Sequence, residues 1–204
     1  MPVIAALAAA AALGGAPWPG DWRPSAAQER QLARGGLVIE MLPDPGRSSG
    51  LIHAAVDVRA PARRIWSLLT DCDEAPRLVT FIKACRMVEG PGPAGGWDLR
   101  EDQIQPAFFV PPLRAMFRSE FESERRIRFR CTSASELRVC DGEWRLEPTP
   151  DGAVRVTYAS AVAAPYPLPD FVIRTVLAAE MADSMRTLRR RAAEAEVPRV
   201  AAER

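Results

Sequence analysis

From Ile82 to Val162 the chain alternates apolar and polar residues in short runs separated by turn signals, and after Asp170 the period lengthens to that of a helix. This switch constrains the fold more than any other feature. Leu113, Ala115, Phe117, Ser119 and Phe121 share one face of a strand, opposite Arg114, Arg118, Glu120 and Glu122, and Ile127, Phe129 and Cys131 alternate with Arg126, Arg128 and Arg130. Trp97–Ile104, Leu137–Glu147 and Val154–Val162 read as further strands, bounded by turns such as Gly90-Pro91-Gly92-Pro93 and Pro148-Thr149-Pro150-Asp151-Gly152. Strands so spaced form an antiparallel meander, and arginines facing away from apolar residues mean one wet face and one buried face. In the last segment Ile173, Leu177, Met181, Met185 and Leu188 recur every three to four residues, with Asp170 as the expected N-cap after Pro167 and Pro169. A lone antiparallel sheet must bury its apolar face on another element, and this helix alone is long enough. The expectation is an α+β fold, a curved antiparallel sheet wrapped around a long C-terminal helix.

Upstream, Leu37–Leu42 and Leu51–Arg59 read as two strands, or as one strand broken by the loop around Pro43-Asp44-Pro45-Gly46. Pro61 suits the first turn of a helix carrying Ile65, Trp66, Leu68 and Leu69, and a second short helix is expected over Ala75–Val79. Acidic and basic side chains nearly cancel, 26 against 27. That balance argues against a nucleic-acid partner held by bulk charge. With His53 the sole histidine, neither histidine catalysis nor a multi-histidine metal site is expected. No catalytic residue, metal or cofactor is assigned.

Residues 1–16 carry an uncharged apolar run, Val3 to Leu13, followed by Gly14, Gly15 and Ala16. Such a run is too short to span a bilayer, which takes about 20 residues, and it matches the hydrophobic part of a secretory signal. No basic residue precedes it, and Pro17 follows the small residues. A disordered Ala-rich tail or a short buried helix is the alternative. Export places the protein in the periplasm or outside the cell; without a signal it is cytoplasmic. Residues 17–36 read as a linker with a possible short helix, residues 37–195 as the ligand-binding domain and residues 196–204 as a disordered tail.

The segment from Val56 to Asp71, with its Ala60-Pro61 helix start, the Ile65-Trp66 pair and Leu69-Thr70-Asp71, followed by Pro76 and Phe81-Ile82, resembles the opening of the SRPBCC superfamily. That superfamily includes START domains, polyketide cyclase/dehydrase-like proteins and coenzyme-Q-binding proteins, and a periplasmic, exported bacterial branch is the nearest comparison. The resemblance covers roughly residues 51–195. It implies the helix-grip (START-like) fold, with a seven-stranded sheet and an apolar cavity between sheet and helix that usually holds a lipid, sterol, quinone or polyketide. The strand near Leu37 is then extra.

Four cysteines allow three pairings. In a hairpin that sets Ile127 against Trp144 and Phe129 against Gly142, Cys131 falls opposite Cys140 at cross-strand distance. Cys72 and Cys85 flank the corner after the first helix. The expected disulfides are 72–85 and 131–140; reduced buried cysteines or a zinc site are the alternatives, the latter opposed by the lack of any CxxC.

The expected ligand-binding residues are Trp97, Leu99, Glu101, Phe117, Phe121, Phe129, Trp144, Tyr158, Leu177, Met181 and Met185. Two parities compete on the Trp97–Ile104 strand. One turns Glu101 inward as a buried carboxylate with a raised pKa; the other turns Ile104 inward and leaves Glu101 in water. Pro106 to Leu113 joins two strands yet is apolar, where loops are usually polar, so Phe108, Phe109 and Val110 are read as a lid or a membrane contact. The function expected is binding of a hydrophobic small molecule (lipid, sterol or hopanoid, or quinone class) for transport or sequestration by a monomer in transient contact with a membrane. The enzymatic alternative is a polyketide cyclase/dehydratase-like protein using Glu101 or Tyr158 as acid/base.

Overall fold

A computed structural model describes residues 22–44, 50–106, 110–163, 165 and 169–194. The apolar run at the N-terminus and the tail from residue 195 lie outside them. The elements are α1 (Ala26–Ala33), β1 (Leu37–Leu42), β2 (Gly50–Val58), α2 (Ala62–Thr70), α3 (Ala75–Leu78), β3 (Ile82–Gly92), β4 (Trp97–Ile104), β5 (Leu113–Glu122), β6 (Arg126–Cys131), β7 (Val139–Pro148), β8 (Val154–Ala163) and α4 (Asp170–Ala193). All strands pair antiparallel in one eight-stranded sheet ordered β1-β2-β8-β7-β6-β5-β4-β3.

This is the helix-grip arrangement, with one strand more than the resemblance implies. Leu37–Leu42 forms its own edge strand, in register with β2 from Leu37 opposite Val56 to Leu42 opposite Leu51. Val56, Val156, Ile65 and Met185 are fully buried, and Leu68 and Leu188 nearly so, in the core where sheet, α2 and α4 meet. On the opposite face of the sheet, Leu32 of α1 packs on Val38 and Ala55, with Trp22 beside them. Helix α1 starts at Ser25, whose side chain and that of Gln28 complete a reciprocal capping box. Gly35 ends it at φ 78°, a conformation that suits glycine. Helix α4 starts one residue earlier than expected: the cap position is Pro169, and Asp170 is already helical. The fixed φ of a proline is compatible with that entry.

Both disulfides form as expected, Cys72–Cys85 and Cys131–Cys140, with Cα atoms 5.1 and 5.2 Å apart. The hairpin register is the anticipated one, Ile127 opposite Trp144 and Phe129 opposite Gly142. Among the described residues, no helix is long and apolar enough to cross a membrane. Among them also, no group of three or more His, Cys, Asp or Glu side chains is placed to hold a metal ion.

Candidate functional site

Between the inner face of the sheet and α4 lies a cavity of about 340 Å³. Its shape follows from the strand patterns. On β5 the inward parity alternates Phe117 and Phe121 with the small Ala115 and Ser119, so the rings stand apart and leave volume between them. On β7, Gly142 removes a side chain where Phe129 needs room: a Cβ there would sit 2.3 Å from the Phe129 ring. Phe129 meets Phe117 edge-on at 6.1 Å and stacks on Tyr158 at 6.1 Å, and Trp144 lies 4.4 Å from Tyr158. Helix α4 supplies Leu177 and Met181 as the facing wall. Of the expected residues, Phe117, Phe121, Phe129, Trp144, Tyr158, Leu177 and Met181 therefore line one cavity. Met185 does not: it is 0% exposed and belongs to the buried core cluster with Ile52, Val56 and Leu188.

Strand β4 takes the parity opposite to the one that placed Trp97, Leu99 and Glu101 inside. Arg100, Asp102 and Ile104 line the cavity, while Trp97, Leu99 and Glu101 occupy the outer face. The physical reason is that Trp97 and Glu101 each find an arginine there. The Arg118 guanidinium covers the Trp97 ring at 4.1 Å. Arg86 donates twice to the Glu101 carboxylate, at 3.1 Å each, and Arg114 approaches it at 3.9 Å.

The inward charges are arranged around Arg100. Its Nε donates to Asp98 Oδ2 at 2.8 Å and its Nη2 to the Thr70 carbonyl at 2.7 Å, with the Phe121 ring 5.4 Å from the guanidinium. Asp98 is 0% exposed and Asp102 7% exposed. Burial pushes the Asp102 carboxyl up to about 7; the nearby Arg100 charge opposes the shift and Asp98 adds to it. Three buried polar atoms have no hydrogen-bond partner here: Asp98 Oδ1, Asp102 Oδ1 and, across on α4, Ser184 Oγ. Burial also pushes the Tyr158 phenol up to about 12, against an opposing hydrogen bond with Ser160.

Sequence reasoning missed Arg100, Asp102 and Ser184 because it read charge and polarity as exposure. The available signal was the Asp98-x-Arg100-x-Asp102 alternation, which puts opposite charges on one strand face, where Arg100 pairs with Asp98.

Phe108 and Phe109 lie outside the described residues. Val110 is half-buried, and its carbonyl accepts a hydrogen bond from the Gln105 amide at 3.1 Å. Phe171 and Val176 near the start of α4 are 64% and 42% exposed. The Glu180 carboxylate takes the Thr80 N–H and hydroxyl at 2.5 and 2.6 Å, tying α4 to the segment between α3 and β3. His53 has no part in the cavity. It stacks on Trp22 at 4.9 Å and faces Glu40 at 3.3 Å, and burial lowers its pKa against the pull of that carboxylate.

The sequence profile of the family described as "Polyketide cyclase / dehydrase and lipid transport" matches residues 50–193. No curated protein sequence matches the chain. Among solved structures, a STAR-related lipid transfer protein from Xanthomonas axonopodis superposes with a TM-score of 0.66 at 14% identity, over 78% of this chain and 94% of that one. Human STARD10 gives 0.64 at 10% identity, over 77% of this chain and 69% of that one. The Zhui aromatase/cyclase from a Streptomyces strain gives 0.55 at 16% identity, over 70% and 92%. At these identities the superpositions speak to the fold.

Proposed function

The chain belongs to the polyketide cyclase / dehydrase and lipid transport family, and from that premise we propose that it binds a hydrophobic small molecule of the lipid, sterol or hopanoid, or quinone class in the cavity, for transport or sequestration. The observation that carries this reading is the cavity wall. Aromatic and aliphatic side chains of β5, β6, β7, β8 and α4 enclose about 340 Å³, within the range of small-molecule sites. Burying about 300 Å² of apolar ligand surface there contributes roughly 7 kcal/mol before the entropic costs of association. Met181 gives the wall an adaptable surface.

The enzymatic reading has one observation in its favour, Asp102, a cavity carboxyl that titrates at about 7. Glu101 has no such claim, since it lies on the outer face bound by Arg86. Tyr158 keeps its proton at neutral pH, which suits a hydrogen bond more than base catalysis.

The two disulfides are compatible with an oxidising compartment, in keeping with a periplasmic or secreted protein. We take it to act as a monomer that meets a membrane transiently at the cavity rim. The test of the binding reading is a variant that fills the cavity. Ala115→Trp places a large ring in the space between Phe117 and Leu113. Titration with an apolar fluorescent probe is expected to saturate the parent protein at one site and not the variant, with both melting cooperatively. Equal saturation of the two would remove the cavity from the account.

A further inference from the structure

The polar groups in the cavity say what the end of the ligand must offer. Arg100, the cation of the cluster, already gives its Nε to Asp98 and its Nη2 to the Thr70 carbonyl, and Phe121 lies against its guanidinium. Among the fully buried side-chain atoms of the described residues here, those without a partner are an acceptor on each of two carboxylates and one hydroxyl, Asp98 Oδ1, Asp102 Oδ1 and Ser184 Oγ. Of these, Asp102 and Ser184 line the cavity, from β4 and from α4. They are 7% and 5% exposed. Leaving such groups unpaired away from water costs free energy, and a bound molecule recovers it by supplying the partner.

Resting on the binding reading above, we propose that the ligand ends in an uncharged hydroxyl, which donates its proton to Asp102 Oδ1 and accepts from the Ser184 hydroxyl. An alcohol matches this pair because it is donor and acceptor at once. A carboxylate or phosphate brings a further negative charge towards Asp98 and Asp102 and no proton to give, so like-charge repulsion works against it. With Asp102 ionised, as at about pH 8, an ether or an oxidised quinone has acceptors alone and leaves Asp102 Oδ1 without a donor. The structure therefore assigns selectivity among apolar ligands to two residues on opposite walls of the cavity.

The test uses the full chain freed of lipid by organic extraction, and three probes with one apolar body: 1-dodecanol, its methyl ether, and dodecanoic acid at about pH 8, where the acid is ionised. Each displaces a fluorescent apolar probe. The expected result is that the alcohol binds roughly tenfold or more tightly than the ether, and that the carboxylate is the weakest. In Ser184→Ala and in Asp102→Asn the preference of alcohol over ether is expected to shrink several-fold, while the ether's own affinity holds. The ether also reports on folding and cavity integrity in each variant. Equal binding of alcohol and ether, or tighter binding of the carboxylate, overturns the hydroxyl assignment and leaves the binding reading standing. Failure of all three to displace the probe overturns both.

Discussion

Replacing Asp102 with Asn gives the sharpest test of how the cavity is built. Asp102 is 7% exposed, and burial moves its carboxyl from an ordinary 3.8 to about 7. At about 1.36 kcal/mol per pH unit, that displacement amounts to roughly 4 kcal/mol. Its sign follows from proton counting. Between about pH 4 and 7 the unfolded chain has released this proton and the folded chain still holds it, so the folded state loses stability as the pH rises through that window. Above about pH 7 both states are ionised and the contribution is flat. Asn keeps the shape and cannot ionise. Urea unfolding of the lipid-free protein, measured at intervals from about pH 4 to pH 8, is expected to show the Asn variant gaining on the parent steadily, by about 4 kcal/mol across the range. Most of that gain falls between pH 4 and 7. A difference between the two proteins that stays constant with pH would refute the placement of Asp102 in a poorly solvated wall.

Removing the 131–140 disulfide by double substitution to Ser is expected to cost about 2.5 kcal/mol in the entropic account of a loop this short, and removing 72–85 slightly more, since it spans 13 residues against 9; non-reducing and reducing melts read both. Gly142→Ala sets a methyl group against the Phe129 ring and 2.9 Å from the Ala159 carbonyl. It is expected to destabilise the fold by about 1–3 kcal/mol and to weaken apolar-probe binding, because the displaced ring moves within the cavity wall; unchanged probe affinity would count against Phe129 as part of that wall. Paired Phe108→Ser and Phe109→Ser substitutions are expected to slow ligand transfer from liposomes without lowering the melting temperature, and unaltered transfer would remove the proposed membrane contact.

The architecture was legible because binary patterning carries it. Leu113 to Phe121 and Ile127 to Cys131 alternate cleanly, so their inward faces, and with them Phe117, Phe121 and Phe129, follow from parity. The 131–140 disulfide follows from the same parity once the hairpin is closed. Strand β4 defeats that logic. Trp97 and Leu99 argue for one face by hydrophobicity, while Asp98, Arg100 and Asp102 occupy the other, where Arg100 pairs with Asp98, and such charge compensation leaves no hydrophobic signature. Met185 shows a second limit. A helical stripe tells which residues face the sheet, yet it does not separate those that touch the sheet, such as Met185, from those that stand over a void, such as Met181. That distinction depends on local side-chain volumes, Ala115, Ser119 and Gly142 among them, which three-dimensional packing alone brings together.

The central claim, that the cavity holds an apolar molecule, is tested most directly by native mass spectrometry of the protein purified from its own source, followed by organic extraction of what it carries. The expected result is a mass increment corresponding to one bound molecule, released into the organic phase as a lipid-class compound bearing a free hydroxyl. Protein that flies at its bare mass, and that takes up no apolar probe afterwards, would contradict the account.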